Sequence, residues 1–382
     1  MRRRLAILTE IISPYRIPVF NALAKRGDID LHVIFLAETD PSVREWRVYK
    51  DEIQFCYEVL PSFRRRLLRY NVLLNWNLKR ALRRADPQVV LCGGSSYIAS
   101  WQAGCWARRH ELPLLLWIES NAHDQRRRYV LIEYVKRRFL NRCDGFVVPG
   151  RASADYLKSF RIPEEVIFTA PNAVDTQFFA CKSAAVRKEQ VQAAHKLPGR
   201  FFLYVGRLVP EKGVFDLLQA YATLAPKLRA EMGLVFVGSG ITEDELKARA
   251  RCIDPGCIRF PGFVHREELA DFYALADILV FPTHTDPWGL VVNEAMACGL
   301  PVISTSVAGC CTDLVIDGWN GRVVPPRDVS QLAYAMQSLA CDGELRLKMG
   351  EHSKKRICAY SPEACADGLA RAALSAGDSY RG

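Results

Sequence analysis

Short apolar runs rich in β-branched and aromatic residues alternate along the whole chain with segments of helical length, and this limits the fold more than any other feature. The first series is Leu5 to Thr9, Leu31 to Leu36, Val89 to Cys92, Leu114 to Ile118 and Gly145 to Val148. A second series follows: Phe202 to Val205, Leu234 to Val237, Ile258 to Phe260, Ile278 to Phe281, Pro301 to Ser304 and Gly321 to Val324. Continuous apolar strands spaced by helices predict parallel sheets covered on both faces. Two series predict two doubly wound α/β domains, and 382 residues suffice for two cores. Pro171-Asn172-Ala173-Val174-Asp175 suits a turn or hinge between them. The expected division is residues 1–175, residues 176–360, and a terminal amphipathic helix within 361–382 packing back on the first domain.

No run approaches the roughly 18 apolar residues of a membrane span. MRRRLAILTE reads as a first strand because its apolar run meets Thr9 and Glu10 at once. The 13 cysteines are odd in number, scattered and without C-x-x-C spacing. They read as reduced thiols of a cytosolic protein, with Cys92, Cys105 and Cys298 in apolar surroundings. The few histidines are unclustered, so no zinc site is expected.

The net charge of +10 sits entirely in the first half, where residues 1–178 hold 29 Lys and Arg against 19 Asp and Glu. It is clustered at Arg2-Arg3-Arg4, Arg64-Arg65-Arg66 with Arg69, Arg80 with Arg83-Arg84, Arg126-Arg127-Arg128 and Lys136-Arg137-Arg138. A solvated helix face accounts for any single cluster. Together they favour an acidic partner, with an anionic membrane surface or phosphorylated acceptor ahead of nucleic acid.

The chemistry is concentrated in FPTHTDPWGLVVNEAMACGLPVI, residues 281–303. Asp286 precedes Glu294 by eight positions, Trp288-Gly289 stands at an expected helix start, and Gly299-Leu300-Pro301 closes that helix. Free amides at such a start suit a phosphate, and flanking carboxylates accept hydrogen bonds from sugar hydroxyls. The loop after the first strand of the second domain, Gly206-Arg207-Leu208-Val209-Pro210-Glu211-Lys212-Gly213, adds a guanidinium fork and a point charge five residues apart. Ligands of open α/β sheets bind at such strand ends.

GR-x4-KG followed by an acidic-x7-Glu segment and EAMACGLPVI resembles the donor domain of the retaining glycosyltransferases of family 4, of the bacterial polysaccharide and glycolipid type. PNAVD and PGFVHREELADFYALADILVFPT resemble further segments of that family, so the likeness covers most of the chain. It implies the GT-B fold, two Rossmann-like domains facing across a cleft. It makes Arg207 and Lys212 the cations on the donor diphosphate, Glu294 the ribose ligand, and Asp286 the contact to the transferred sugar. Glutamate is usual where Asp286 stands. Pro287 has no N–H, so amide contacts fall to Trp288, Gly289, Leu290 and Val291. Gly206, Gly238-Ser239-Gly240 and Phe263-Val264 resemble segments that approach the nucleotide. In place of a Gly-rich first loop the chain has Ile12-Ser13-Pro14-Tyr15-Arg16-Ile17-Pro18, with Arg16 a candidate for phosphate. Glu119 takes a position where a histidine is frequent, near Ser120, Asn121 and His123, as an acceptor-positioning or proton-handling group.

Asp28-Ile29-Asp30 matches a metal-binding D-x-D string, but it reads as a polar turn. The resemblance implies no metal and no cofactor, since cations and a helix terminus neutralise the leaving diphosphate. The expectation is metal-independent retaining transfer from a UDP- or GDP-sugar to a saccharide or lipid-linked acceptor, in a cytoplasmic protein with peripheral attachment to the inner membrane face as an option. The alternatives are an epimerase or hydrolase of the same fold, an NAD-dependent oxidoreductase, disfavoured by the lack of G-x-G-x-x-G, and a nucleic-acid-binding protein, disfavoured by the lack of a known module.

Overall fold

The computed structural model describes residues 2–40, 46–67, 70–123, 130–254 and 256–379. The chain separates into two compact units: Met1–Ala122 with Arg126–Ala173 and Pro362–Gly382, and His123–Gln125 with Val174–Ser361. The basic cluster at residues 126–128 lies outside the described residues.

The first unit carries β1 (Arg3–Thr9), β2 (Ile29–Phe35), β3 (Cys56–Val59), β4 (Ser62–Leu67), β5 (Tyr70–Asn75), β6 (Val89–Cys92), β7 (Leu114–Trp117), β8 (Gly145–Val148) and β9 (Ile167–Thr169). Seven form one sheet in the order β3-β2-β1-β6-β7-β8-β9, with every pairing parallel. Leu5, Ala6, Ile7 and Leu8 are all buried because helices cover both faces, so β1 needs no polar side. β4 and β5 form a separate antiparallel hairpin. Arg64-Arg65-Arg66 therefore lies on a strand, where a helix face was the simpler expectation. Alternation divides this cluster: Arg64 turns inward to Glu10 and Asp40 while Arg65 is exposed.

The last helix, Pro362–Ser379, packs against the helix Arg16–Ala24 and strands β8 and β9. Its Cys365, Ala366, Leu369, Ala370, Ala372 and Ala373 share a core with Leu5, Ile7, Ile17 and Leu23. Small side chains let it come close; a Cβ on Gly368 would lie 2.3 Å from the Thr169 carbonyl oxygen.

The second unit carries β10 (Phe201–Val205), β11 (Gly233–Val237), β12 (Ile258–Gly262), β13 (Ile278–Phe281), β14 (Val302–Thr305) and β15 (Gly321–Val324). They form one parallel sheet in the order β12-β11-β10-β13-β14-β15. Between the series, Asp175 caps the helix Thr176–Ala184 by accepting the Phe178 N–H at 2.9 Å. No helix among the described residues is long and apolar enough to cross a membrane.

Candidate functional site

In the second unit the chain leaves β10 toward β11 on one side, and β13 flanks β10 on the other. The loops after β10 and β13 thus diverge from the topological switch point of the sheet, where a crevice forms at the strands' carboxyl ends. These two loops, and the loop after β11, touch through their backbones. A Cβ on Gly213, at φ +69°, would lie 1.9 Å from the Pro282 carbonyl oxygen, and one on Gly238, at φ +133°, would lie 2.0 Å from that of Gly206. Only glycine satisfies both conditions. The His284 N–H donates to the Glu211 carbonyl at 2.9 Å, and the Leu208 N–H to that of Ser239 at 2.8 Å.

This packing places Lys212 against Asp286. The ammonium forms an ion pair with the Asp286 carboxylate and donates to the Thr285 carbonyl at 3.3 Å. Both side chains are largely buried, at 13% and 17% exposure. The same carboxylate accepts the Trp288 N–H at 3.0 Å. Two residues to which the sequence assigned separate roles, phosphate and sugar, are thus joined. Arg207 differs: its side chain is 54% exposed, with Glu211 at 3.9 Å. Its loop is held by the buried Tyr204, whose O–H donates to the Arg207 carbonyl at 2.8 Å.

The helix Leu290–Ala297 starts at Gly289, which is left-handed at φ +99°, and no side chain caps it. Gly289, Leu290 and Val291 present its first amides. The Trp288 amide, expected among the anion-facing groups, is bound to Asp286, and its indole is buried with Nε1 donating to Asn293 at 2.9 Å. That residue therefore supports the helix start from behind. One turn on, Glu294 accepts a hydrogen bond from the Tyr273 O–H at 2.7 Å. Burial pushes the Glu294 carboxyl up to about 7, and the Tyr273 hydrogen bond opposes the rise. Val264, 9% exposed, and Gly238 follow β12 and β11 on the same edge of the sheet.

In the first unit, Arg16 and Glu119 form an ion pair, and the guanidinium lies 3.8 Å from the centre of the Trp117 ring. Glu119 follows β7, and its carbonyl accepts the Ser153 hydroxyl at 3.1 Å. Nothing in the local sequence of either residue predicts the pair. A second polar group went unnoticed as well. Just past β1, Glu10 accepts the Tyr97 hydroxyl at 2.6 Å and Arg64 at 3.0 Å, and Arg64 also binds the buried Asp40. The position of Glu10 at a strand's carboxyl end was the available signal. Tyr273 and the His284–Asp216 pair, at 2.7 Å in the second unit, were also missed. Their partners are distant in sequence.

Asp28 is taken by Arg26, at 2.9 and 2.7 Å, and Asp30 belongs to β2, so the D-x-D string is only in part a turn. Among the described residues no three His, Cys, Asp or Glu are grouped for a metal ion. All 13 cysteines are free. Cys92 is buried and its thiol is pushed up to about 12 by burial, whereas Cys105, expected in apolar surroundings, is exposed because it lies on the outer side of the helix Ile98–Arg109.

Residues 186–356 match the family model for glycosyl transferases group 1, and residues 19–178 match that for glycosyltransferase family 4. A D-inositol 3-phosphate glycosyltransferase of Corynebacterium kroppenstedtii is 32% identical over 236 residues, 59% of this chain and 52% of that protein. The alpha-D-kanosaminyltransferase of Streptomyces kanamyceticus is 27% identical over 308 residues, 77% of this chain and 78% of that one. The matches span about half or less of the first curated relatives, 52%, 41% and 41% of their lengths. Among solved structures, Anabaena HepE in complex with UDP and glucose superposes with a TM-score of 0.75 at 17% identity, over 98% of this chain and 100% of that chain. At that identity the likeness concerns the fold, which is GT-B. With both halves matched in order along one chain, this protein belongs to the family 4 glycosyltransferases.

Proposed function

We propose that this protein transfers a sugar, with retention of configuration and without a bound metal, from a UDP- or GDP-linked donor to a hydroxyl of a saccharide or lipid-linked acceptor. One observation carries the proposal: the cationic loop after β10 and the acidic loop after β13 meet at a switch point beside an uncapped helix start. The UDP and glucose in the Anabaena structure support a donor of this class.

Arg207, being exposed, is free to turn onto the diphosphate, and Lys212 supplies a second positive charge from a fixed position. Gly289, Leu290 and Val291 add amides aligned with the helix dipole. Together they stabilise the charge that develops on the leaving diphosphate, the largest contribution such a site can make. Glu294 accepts the ribose hydroxyls, Asp286 contacts the transferred sugar, and the segments at Gly206, Gly238 and Val264 border the nucleotide. On the acceptor side, Glu119, oriented by Arg16, positions the attacking hydroxyl. The basic first half supports peripheral attachment to an anionic membrane.

The test is transfer from a panel of UDP- and GDP-sugars by the parent, Arg207→Ala and Lys212→Ala, with the anomeric configuration of the product read by NMR and a chelator present. We expect a fall of about a hundredfold for each variant. Unchanged transfer by both would remove the diphosphate assignment. Donor consumed without acceptor would instead identify a hydrolase or epimerase.

A further inference from the structure

The hairpin β4–β5 stands outside the parallel sheet and presents two unlike faces. In its register Phe63 lies opposite Leu74, and Arg64 opposite Leu73. Directly opposed residues share a face. Leu73 is 3% exposed and Arg64 binds Glu10 and Asp40, so this pair forms the inner face. Phe63 and Leu74 form the outer one, at 52% and 40% exposure. Trp76 continues their side of the strand at 53% exposure, with its N–H bound to the Pro61 carbonyl at 3.1 Å. Ile98, 45% exposed, opens the helix Ile98–Arg109, which packs against β5. These four are among only eleven large hydrophobic side chains that the described residues expose.

The same stretch of chain is strongly basic. Residues 61–85 contain eight Lys and Arg and no Asp or Glu. Arg64 and Arg84 are bound to carboxylates, Arg84 to Glu58, whereas Arg65, Lys79, Arg80 and Arg83 are exposed. The hairpin and the helical segment that follows it therefore combine an exposed Trp and Phe with exposed cations uncompensated in the local sequence. Exposed apolar side chains grouped on one face mark an interaction site, and the chemistry of this one matches the headgroup region of an anionic bilayer. The hairpin is also firmly held: the Asn75 amide donates to the Leu36 carbonyl at 2.5 Å, and Arg64 ties it to Glu10 at the end of β1.

We propose that the β4–β5 hairpin is a membrane-docking element that seats Phe63, Leu74 and Trp76 among the headgroups of an anionic lipid surface, with Arg65 and Arg80 on the lipid phosphates. This deepens the membrane part of the reading above and rests on it. The hairpin would bring a lipid-linked acceptor to the end of β1, beside Glu10 and Tyr97.

The experiment is co-sedimentation of the full chain with vesicles of phosphatidylcholine alone or mixed with phosphatidylglycerol, at low and high salt. Parent protein is expected on the mixed vesicles, with salt weakening the binding. The variant Phe63→Ser/Trp76→Ser is expected to bind at least about tenfold more weakly, with an unchanged melting temperature because both side chains are exposed. Tyr334→Ser, in the second unit, and Tyr134→Ser/Val135→Ser, in another exposed apolar pair, are expected to bind like the parent. If the parent binds neither vesicle, the membrane reading and the hairpin both fail. If it binds the mixed vesicles and the hairpin variant binds equally well, the hairpin alone fails. A dimer without lipid that Phe63→Ser/Trp76→Ser abolishes would show that a second copy covers the patch, and would overturn the proposal.

Discussion

Glu294 carries the most testable electrostatics in the molecule. Its carboxyl is pushed up to about 7, from an ordinary 4.5, by burial. Between those values the folded chain holds a proton that the unfolded chain has released, so stability from this group is present below about 4.5 and lost as pH rises toward 7. Ligand-free Glu294→Gln should therefore melt progressively higher than the parent as pH rises, with the full difference above pH 7 in a thermal-shift series. On the ribose role proposed for Glu294, donor binding should run the opposite way: an ionised carboxylate would accept the hydroxyls better, so parent affinity should rise through neutrality and the variant's should stay flat in a calorimetric titration. The two cations should separate in the same manner. Arg207→Ala removes an exposed charge and should leave stability within about 0.5 kcal/mol. Lys212→Ala takes the opposite charge away from the largely buried Asp286 carboxylate, leaving it the Trp288 N–H, and should cost about 2 kcal/mol in urea unfolding. The motif spacing made Arg207, Lys212, Asp286 and Glu294 readable as candidates, but not Tyr273, whose O–H reaches Glu294 from another helix.

Strands buried on both faces were legible as elements: Val89–Cys92, Gly145–Val148 and Ile278–Phe281 are apolar throughout, and their ends coincide with the apolar runs. Those that escaped detection lack this property. β3 and β9 are short edge strands of mixed polarity, and in β4 consecutive arginines conceal an alternation that packing turns inward and outward. Loop packing was equally hidden, because a glycine's neighbour cannot be read from its sequence. Gly213→Ala would force a Cβ into the Pro282 carbonyl at a left-handed φ, and should destabilise by about 2 kcal/mol or more. Because it disturbs the seat of Lys212, it should also weaken donor binding, measured in parallel with its melting temperature. A Gly27→Ala control, where a Cβ meets nothing within 4 Å, should change neither.

At the scale of the whole chain, the final helix belongs to the first unit although the second unit precedes it in sequence. Removing residues 362–382 would uncover Ile17, Leu23 and the core around them. Hydrogen exchange should then show lost protection in β1 and β8, while β10 and β11 keep theirs. The sequence by itself determined that there are two parallel α/β sheets and singled out one strand-loop-helix as the candidate seat of the chemistry, because strand burial and helix starts leave local patterns of hydrophobicity, glycine and proline. Tertiary structure alone decided that Lys212 pairs with Asp286, that Arg16 meets Glu119 over Trp117, and that a hairpin turns Phe63 and Trp76 outward. Each of these depends on segments distant in sequence being brought within a few ångströms. Burial and pairing energies at such range arise only after the chain has folded.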